Sequence, residues 1–412
     1  MTEQVFRLVA SLLVGVWVAR FLGPEQFGVY TYAMVVVTVL ASIAKLGLDE
    51  LVVRHLVHAP QLSTQILSTA FWLKMAGSAF TLMGLIVWVG LERSTHSAYI
   101  LIIAMGILFQ AFDVIDFYFQ SQLLSKYAAT CRMAQLLLSA LLKVGLVLMK
   151  AELVWFVWVL LFDQFFVAST LYWIFRRTKN HLIFRSFQSP LAKELLQESW
   201  PLLINALVVI LYMRIDQLLI AWVLGPKDMG VYAAASRISE MAYVIPVVVV
   251  GSVFPALIRL RQTDPIAYAR RLKQIYAGLF WLAAAIAFPL TLWSSNLIDL
   301  LYGQAYQGAA AVMAVHIWTC VFVFIGVPFS KHLVIHQKTP KLMVRTFCGV
   351  LINVIALLLL LPGYGIYGAA WAALIAQAYV NFLGDVLDPQ TWDQLHLKTQ
   401  AFLKPFAANR AE

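Results

Sequence analysis

Charge is what this sequence has least of. Asp, Glu, Lys and Arg make up 12% of its 412 residues, while 62% are hydrophobic. Soluble domains carry about 25% charged residues, so globular cores of roughly 150 residues each would lack the polar surface to cover them. Cysteine is scarce as well. Cys131, Cys320 and Cys348 are widely spaced, odd in number and set in or beside apolar runs, which excludes a disulfide framework or a metal centre and leaves them as packing residues. A small-residue cleavage site is missing after the first apolar run, which ends in ARFLGPEQFG and is followed at once by a second run. It therefore reads as a membrane span, not as a removable signal peptide.

What the sequence has in abundance is long apolar runs. Approximate spans fall at 5–22, 29–47, 67–90, 98–119, 128–149 and 153–175, then at 200–223, 231–257, 274–294, 310–330, 343–361 and 365–386. Segments of about 18 or more apolar residues are too long for outer-membrane strands, and backbone groups in lipid must be paired within their own segment, so these are helices. The expected fold is an all-α polytopic membrane protein with about twelve spans in two six-helix lobes. The lobes are placed at 1–175 and 200–388, joined by a basic linker at 176–199 and followed by a tail at 389–412.

The net charge of +10 allows nucleic acid, anionic lipid or membrane topology as its meaning. Distribution decides. Twenty-two of the thirty Lys and Arg fall on the side that holds the N-terminus, four fall on the other side, and Lys74, Lys143, Arg214 and Arg237 lie inside spans. Positive-inside then places both termini in the cytoplasm. Basic residues in short loops, with no stacking aromatics among them, also argue against nucleic acid.

An internal repeat divides the chain. LGPEQFGVY at Leu22 to Tyr30 returns as LGPKDMGVY at Leu224 to Tyr232, 202 residues on, and seven of fourteen positions match between Ala19 and Tyr32 and the second copy. Six spans per copy is an even number, so the two lobes share one orientation, a parallel repeat of the kind found in transporters. Gly23-Pro24 and Gly225-Pro226 should end one helix, and Gly28 and Gly230 should start the next. Without a following Lys-Ser or Lys-Thr, the pattern is a hairpin and not a phosphate loop.

Ionisable residues inside spans are costly and mark functional candidates. Span 7 carries Asn205, Arg214 and Asp216, and span 8 carries Arg237 and Glu240; the positions 202 residues before these four charges are Leu12, Val14, Val35 and Thr38. The duplicated fold therefore does not itself require charge there. Arg237 and Glu240, three apart, share a face and can neutralise each other. Arg214 and Asp216 lie about 200° apart around their helix and must find other partners. Both cavity lining and a structural ion-pair network fit these four. In the first lobe, Asp113 and Asp116 share a face beside several aromatics and suit proton coupling if buried, or solvation if not. Asp163 and Lys74 are further candidates, whereas Lys143 is expected to snorkel. His55, His58, His332 and His336 read as surface histidines without metal-ligand company. Pro201, Pro246, Pro255, Pro289 and Pro328 are expected to interrupt helices of the second lobe.

LGPEQFGVY, LGLDELVVR, FQAFDVIDFYFQSQ, YMRIDQLLIAWVLG and PGYGIYGAAWAALIAQ occur in that order along the chain. This combination resembles the oligosaccharide flippases of bacterial polysaccharide biosynthesis, within the multidrug/oligosaccharidyl-lipid/polysaccharide exporter superfamily, over nearly the whole chain to about Asp388. Members usually carry a further stretch before span 1, which here begins almost at Met1. The resemblance implies a two-lobed inner-membrane transporter that flips lipid-linked oligosaccharides, usually on undecaprenyl pyrophosphate, by alternating access. It further implies a central cavity whose cations meet the pyrophosphate, by position Arg214 and Arg237 with Lys74, and Asn205 beside them. Asp216, Glu240, Asp113, Asp116 and Asp163 are then the candidate coupling or cavity carboxylates. The expected partners are the lipid-linked glycan, membrane lipid and other polysaccharide-assembly membrane proteins. No cofactor, metal or catalytic residue is expected. The alternative is a cation-coupled multidrug exporter of the same superfamily; a membrane enzyme would need a soluble catalytic domain or a sugar-nucleotide motif, and neither is found in the sequence.

Overall fold

The computed structural model describes residues 2–92, 96–178 and 186–403. Arg93, Lys179, Arg185, Lys404 and Arg410 of the charge tally lie outside them, as do parts of the linker and tail expected from the sequence. All regular structure among the described residues is helical. In chain order the first unit holds α1 (Thr2–Ala44), α2 (Leu48–His58), α3 (Ser63–Glu92), α4 (Ser97–Met105), α5 (Val114–Ser121), α6 (Lys126–Leu148) and α7 (Leu153–Thr178), followed by α8 (Ser189–Val223). Then come α9 (Pro226–Ala242), α10 (Val244–Thr263), α11 (Pro265–Leu292), α12 (Ser294–Leu301), α13 (Gly308–His316), α14 (Thr319–Ile335), α15 (Thr339–Ala378), α16 (Gly384–Leu387) and α17 (Trp392–Leu403). The chain divides into two compact units, Thr2–Arg214 and Ile215–Glu412, with the boundary inside α8.

Among the described residues, ten helical runs are long and apolar enough to cross a membrane. Two of these are broken by a non-helical glycine, α1 at Gly23 and α15 at Gly365, and splitting them yields the twelve spans. The repeat is visible in the backbone: Gly23 has φ 72° and ψ 170°, and Gly225, its counterpart, has φ 91° and ψ −178°. Only glycine tolerates this region readily. The next helix restarts at Pro226 itself, not at Gly230, because a proline at the first helical position has its φ already set and no amide to leave unpaired. Helices also run on through Pro201, Pro255, Pro289 and Pro328, so those expected interruptions are absent. Pro246 is different. It sits just after Tyr243, where α9 gives way to α10, as a ring that clashes with the carbonyl four residues back requires.

The first unit packs around α2, a short helix whose Leu48, Leu51, Val52 and Leu56 are buried with Ile115 and Phe119 of α5 and Leu195 of α8. The turn into it depends on Gly47, which has φ +66°, and a Cβ there would lie 2.5 Å from the Leu203 amide nitrogen and 2.7 Å from the Ser199 carbonyl oxygen. Both obstacles are backbone and cannot swing aside. Gly47→Ala is expected to cost well over about 1 kcal/mol. Gly84→Ala, where a Cβ meets nothing within 4 Å, should leave the thermal midpoint of the purified protein unchanged or raised.

In the second unit, α9 is buried all round at Ala233, Ala234, Ala235 and Ser236, and α13 packs against it. Span 12 contains a π-helical turn, Tyr379–Leu383. Beyond it the chain, expected only as a tail, forms α17 and folds back against α11, with Phe402 stacked on Phe280 at 4.1 Å between ring centroids. Lys398 of α17 is fully buried and donates to Asp385 Oδ2 at 2.6 Å and to the Asn381 carbonyl at 2.7 Å. Arg345 donates to the other Asp385 oxygen at 2.6 Å, to Thr391 Oγ1 at 2.6 Å and to the Gly384 carbonyl at 2.9 Å.

Candidate functional site

The intramembrane polar groups fall into two sets along the chain. In the first, Lys74 of α3 is 1% exposed; its Nζ lies 2.8 Å from Asp49 Oδ1 and 4.6 Å from the centre of the Phe117 ring. A buried ammonium survives only with a partner, and α2 supplies it. Lys45 stands 3.8 Å from the other Asp49 oxygen. Asp116 is buried and accepts a hydrogen bond from Arg132. Asp113, half-buried, lies within Coulombic reach of Lys74, Lys45, Arg132 and Asp49. The structure therefore gathers Lys74, Asp113 and Asp116 into one charged cluster and adds Lys45, Asp49 and Arg132, which the sequence reading did not single out. Asp49 lies in LGLDELVVR, but nothing in the text of that motif says that α2 turns back beside α3.

Asp163 of α7 is 9% exposed and accepts from Ser139 Oγ at 2.8 Å. Lys143, expected to snorkel, is instead 3.6 Å from the same Asp163 oxygen. Ser139 and Lys143 are four apart on α6 and share the face turned to α7. Beside them a cavity of about 400 Å³ opens, lined by Lys45, Gln110, Gln135, Asp163 and Gln164 among others. Gln110 reaches it from Gly106–Asp113, an eight-residue 3₁₀ stretch in the middle of span 4; such runs rarely exceed about four residues, and mid-helix examples often mark functional positions.

The second set begins on α8. Asn205 is exposed and Arg214 half-buried. Asp216, on another side of the helix, is buried; its Oδ2 accepts from the Tyr232 hydroxyl and its Oδ1 from the Gln217 amide at 2.7 Å. Tyr232 is fully buried and meets His316 edge-on, with ring centroids 5.8 Å apart. Arg237 and Glu240 of α9 are half-buried, and with Arg214 they take part in further interactions. Arg237 lies within Coulombic reach of Tyr302.

His58 is exposed, as expected, but His55, His332 and His336 are not bare surface groups. His332 is buried, with Nδ1 2.8 Å from the Tyr268 hydroxyl and its ring 4.1 Å from that of His336. His55 offers a ligand atom within 4.8 Å of Glu194 and Glu198. Arg54 already pairs with Glu198, which makes this an ion-pair network. The sequence reading missed it because the partners are 139 to 144 positions away.

Comparison with known proteins connects this architecture to a family. A family model described as polysaccharide biosynthesis protein matches residues 17–311. The chain belongs to that family. The family match covers spans 7 and 8 together with most of the first unit. A curated relative, the probable flippase AglR of Haloferax volcanii, is 29% identical over 184 residues, 43% of this chain, and the chain spans only 37% of that relative's length. The fold is shared with solved membrane proteins. The lipid II flippase MurJ in an inward closed conformation superposes with a TM-score of 0.77 at 14% identity, covering 97% of this chain and 90% of that one. An inward-facing multidrug resistance MATE family transporter of the MOP superfamily superposes at 0.66 and 15% identity, covering 98% and 96%.

Proposed function

We propose that this chain moves lipid-linked oligosaccharides, built on undecaprenyl pyrophosphate, from the cytoplasmic to the periplasmic leaflet of a bacterial inner membrane by alternating access. Both termini are cytoplasmic, as the basic loops require. The observation that carries the reading is the family match, which runs through both halves and includes the spans that hold Arg214 and Arg237. A diphosphate is the most highly charged part of such a substrate, and guanidinium groups recognise phosphate oxygens through paired hydrogen bonds. Arg214 and Arg237 take this role, and Asn205 of α8 is a further substrate-binding candidate; Lys74, held by Asp49, tunes the first-unit cluster. The six-helix lobes at 1–175 and 200–388, joined by the basic linker at 176–199 and followed by the tail at 389–412, alternate access between the two leaflets. Asp216 and Glu240 keep the cationic spans balanced when substrate leaves, and Asp113 is the carboxylate for ion coupling; the charges of Asp116 and Asp163 are already met by Arg132 and Lys143. The substrate arrives from and passes to other membrane proteins of polysaccharide assembly.

A multidrug exporter is the second reading, favoured by the fold shared with the MATE transporter. Deleting the gene distinguishes the two. A flippase deletion should deplete surface polysaccharide and accumulate lipid-linked oligosaccharide, with drug sensitivity unchanged. Increased sensitivity to cationic drugs with intact surface polysaccharide would favour the exporter.

A further inference from the structure

The hairpin between α10 and α11 gathers cations that its own carboxylates do not balance. Arg259, Arg261, Arg270, Arg271 and Lys273 fall within fifteen positions, with Asp264 as the single acid of that stretch. Asp264 caps α11, its Oδ1 lying 3.0 Å from the Ile266 amide and 2.9 Å from that of Ala267. Among the described residues none of the five cations forms an ion pair; Arg271 and Lys273 donate to the neutral amides of Gln274 at 3.1 Å and Gln400 at 3.2 Å. Other basic residues assigned to the same side of the membrane are answered, Arg54 by Glu198, Arg132 by Asp116 and Lys341 by Asp388. Five like charges on one hairpin repel one another and call for anions from outside the chain.

Depth and direction identify those anions. α11 has 28 residues, about 42 Å of helix, whereas a hydrocarbon core about 30 Å thick takes about 20 of them. Trp293, 63% exposed, marks the interface at its far end. Counting about 20 residues back from there puts the other hydrocarbon boundary near Lys273 and sets Arg270 and Arg271 just beyond it, in the headgroup layer. Arg259 and Arg261 stand at a matching distance on the other side of the turn, and no charged residue separates Val244 from Arg259 or Lys273 from Leu292. Arg259 and Arg261 are about 200° apart around α10, and Arg270 and Arg271 about 100° apart around α11. Guanidinium groups spread in this way do not converge on a single diphosphate. They suit separate phosphates at one depth, which a leaflet of anionic lipid supplies.

We infer that the hairpin docks anionic phospholipid headgroups of the cytoplasmic leaflet, whose phosphates pair with the four arginines and fix the depth of spans 8 and 9. The inference rests on the topology proposed above and not on the substrate.

The test puts a fluorophore at Ala256→Cys, an exposed position one turn before Arg259, in a Cys348→Ser background; Cys131 and Cys320 are buried. Phosphatidylcholine nanodiscs hold the full chain with a small fraction of either phosphatidylglycerol or phosphatidylcholine that bears a quenching nitroxide. At the label, the phosphatidylglycerol probe should be enriched about fivefold over the phosphatidylcholine probe, and about 1 M sodium chloride should remove most of that preference. The same label at Ala76→Cys, exposed on α3, should show little preference. Replacing the arginines together, as Arg259→Gln, Arg261→Gln, Arg270→Gln and Arg271→Gln, should bring the hairpin label to the Ala76→Cys level. Equal quenching by the two lipids at Ala256→Cys, the same preference at both positions, or a preference that survives the fourfold replacement overturns the inference. If that variant does not fold, the two label positions and the salt series still decide. Displacement of the phosphatidylglycerol probe by an equimolar amount of undecaprenyl pyrophosphate overturns it in favour of the substrate's diphosphate. Orientation is tested apart, because a nanodisc presents the same lipid to both faces. An impermeant maleimide that reaches Gln262→Cys from the periplasmic side of intact cells overturns the proposed topology and the assignment to the cytoplasmic leaflet with it.

Discussion

Asp385→Ala is expected to destabilise the second unit by about 3–5 kcal/mol and to release α17. Asp385 is fully buried and bridges two cations, Arg345 at 2.6 Å and Lys398 at 2.6 Å. Removing it leaves a fully buried ammonium without a counter-ion and a nearly buried guanidinium with only Asp388, 3.7 Å away. The remaining contacts of Lys398 are the Asn381 carbonyl and the face of Phe329, 3.9 Å from the ring centre, which stabilise a cation without neutralising it. Proteolysis in the native state should then cut near 388–403 in the variant and not in the wild type, and the thermal midpoint should fall. Asp388→Ala is the control. Its carboxylate is 26% exposed and pairs with Lys341 at 2.9 Å, so it should cost only about 0–1 kcal/mol.

The pH dependence of the same contact has a definite sign. Burial pushes the Lys398 amine down to about 8, from 10.5. Between these values the unfolded chain binds more protons than the folded one, so the contribution of this group to stability rises with pH across that window. α17 should therefore remain docked at pH 9.

The second large effect is on transport. Arg214→Ala removes a guanidinium from a span that already carries Asp216, and an anionic substrate then meets a less positive helix. Hydrogen bonds to charged groups are worth about 1.5–3 kcal/mol each, which corresponds to a loss of roughly 10- to 100-fold in transport efficiency at low substrate. Arg214→Lys keeps the charge but loses the fork that matches two phosphate oxygens, so it should fall between wild type and alanine. A merely structural arginine would instead lower the thermal midpoint, with lysine behaving like alanine.

Helix count and duplication were both legible in the sequence, because apolar run length reports a crossing directly and Gly23 and Gly225 require the same unusual backbone. Charge partnerships were not. Lys74 and Asp49 are 25 positions apart, Arg345 and Asp385 are 40, and Asp163 and Ser139 are 24. Each pair joins different helices, and hydropathy carries no information about which faces meet. Asp216 illustrates the division: its place inside a span was evident, and its need for a partner beyond its own helix followed from helical geometry. Tyr232 could be identified as that partner only once α8 and α9 were packed. α17 was missed for a related reason, since a twelve-residue helix with one buried lysine reads as a polar tail until Asp385 is found beneath it.

The most direct measurement is flipping of a labelled undecaprenyl-pyrophosphate oligosaccharide in proteoliposomes, followed by its accessibility to an external glycosidase, for the wild type and Arg214→Ala side by side. The account predicts that the wild type renders the inner-leaflet glycan cleavable and that the variant does so roughly 10- to 100-fold more slowly. A folded wild type that leaves the glycan protected, or a variant equal to wild type at limiting substrate, would contradict it.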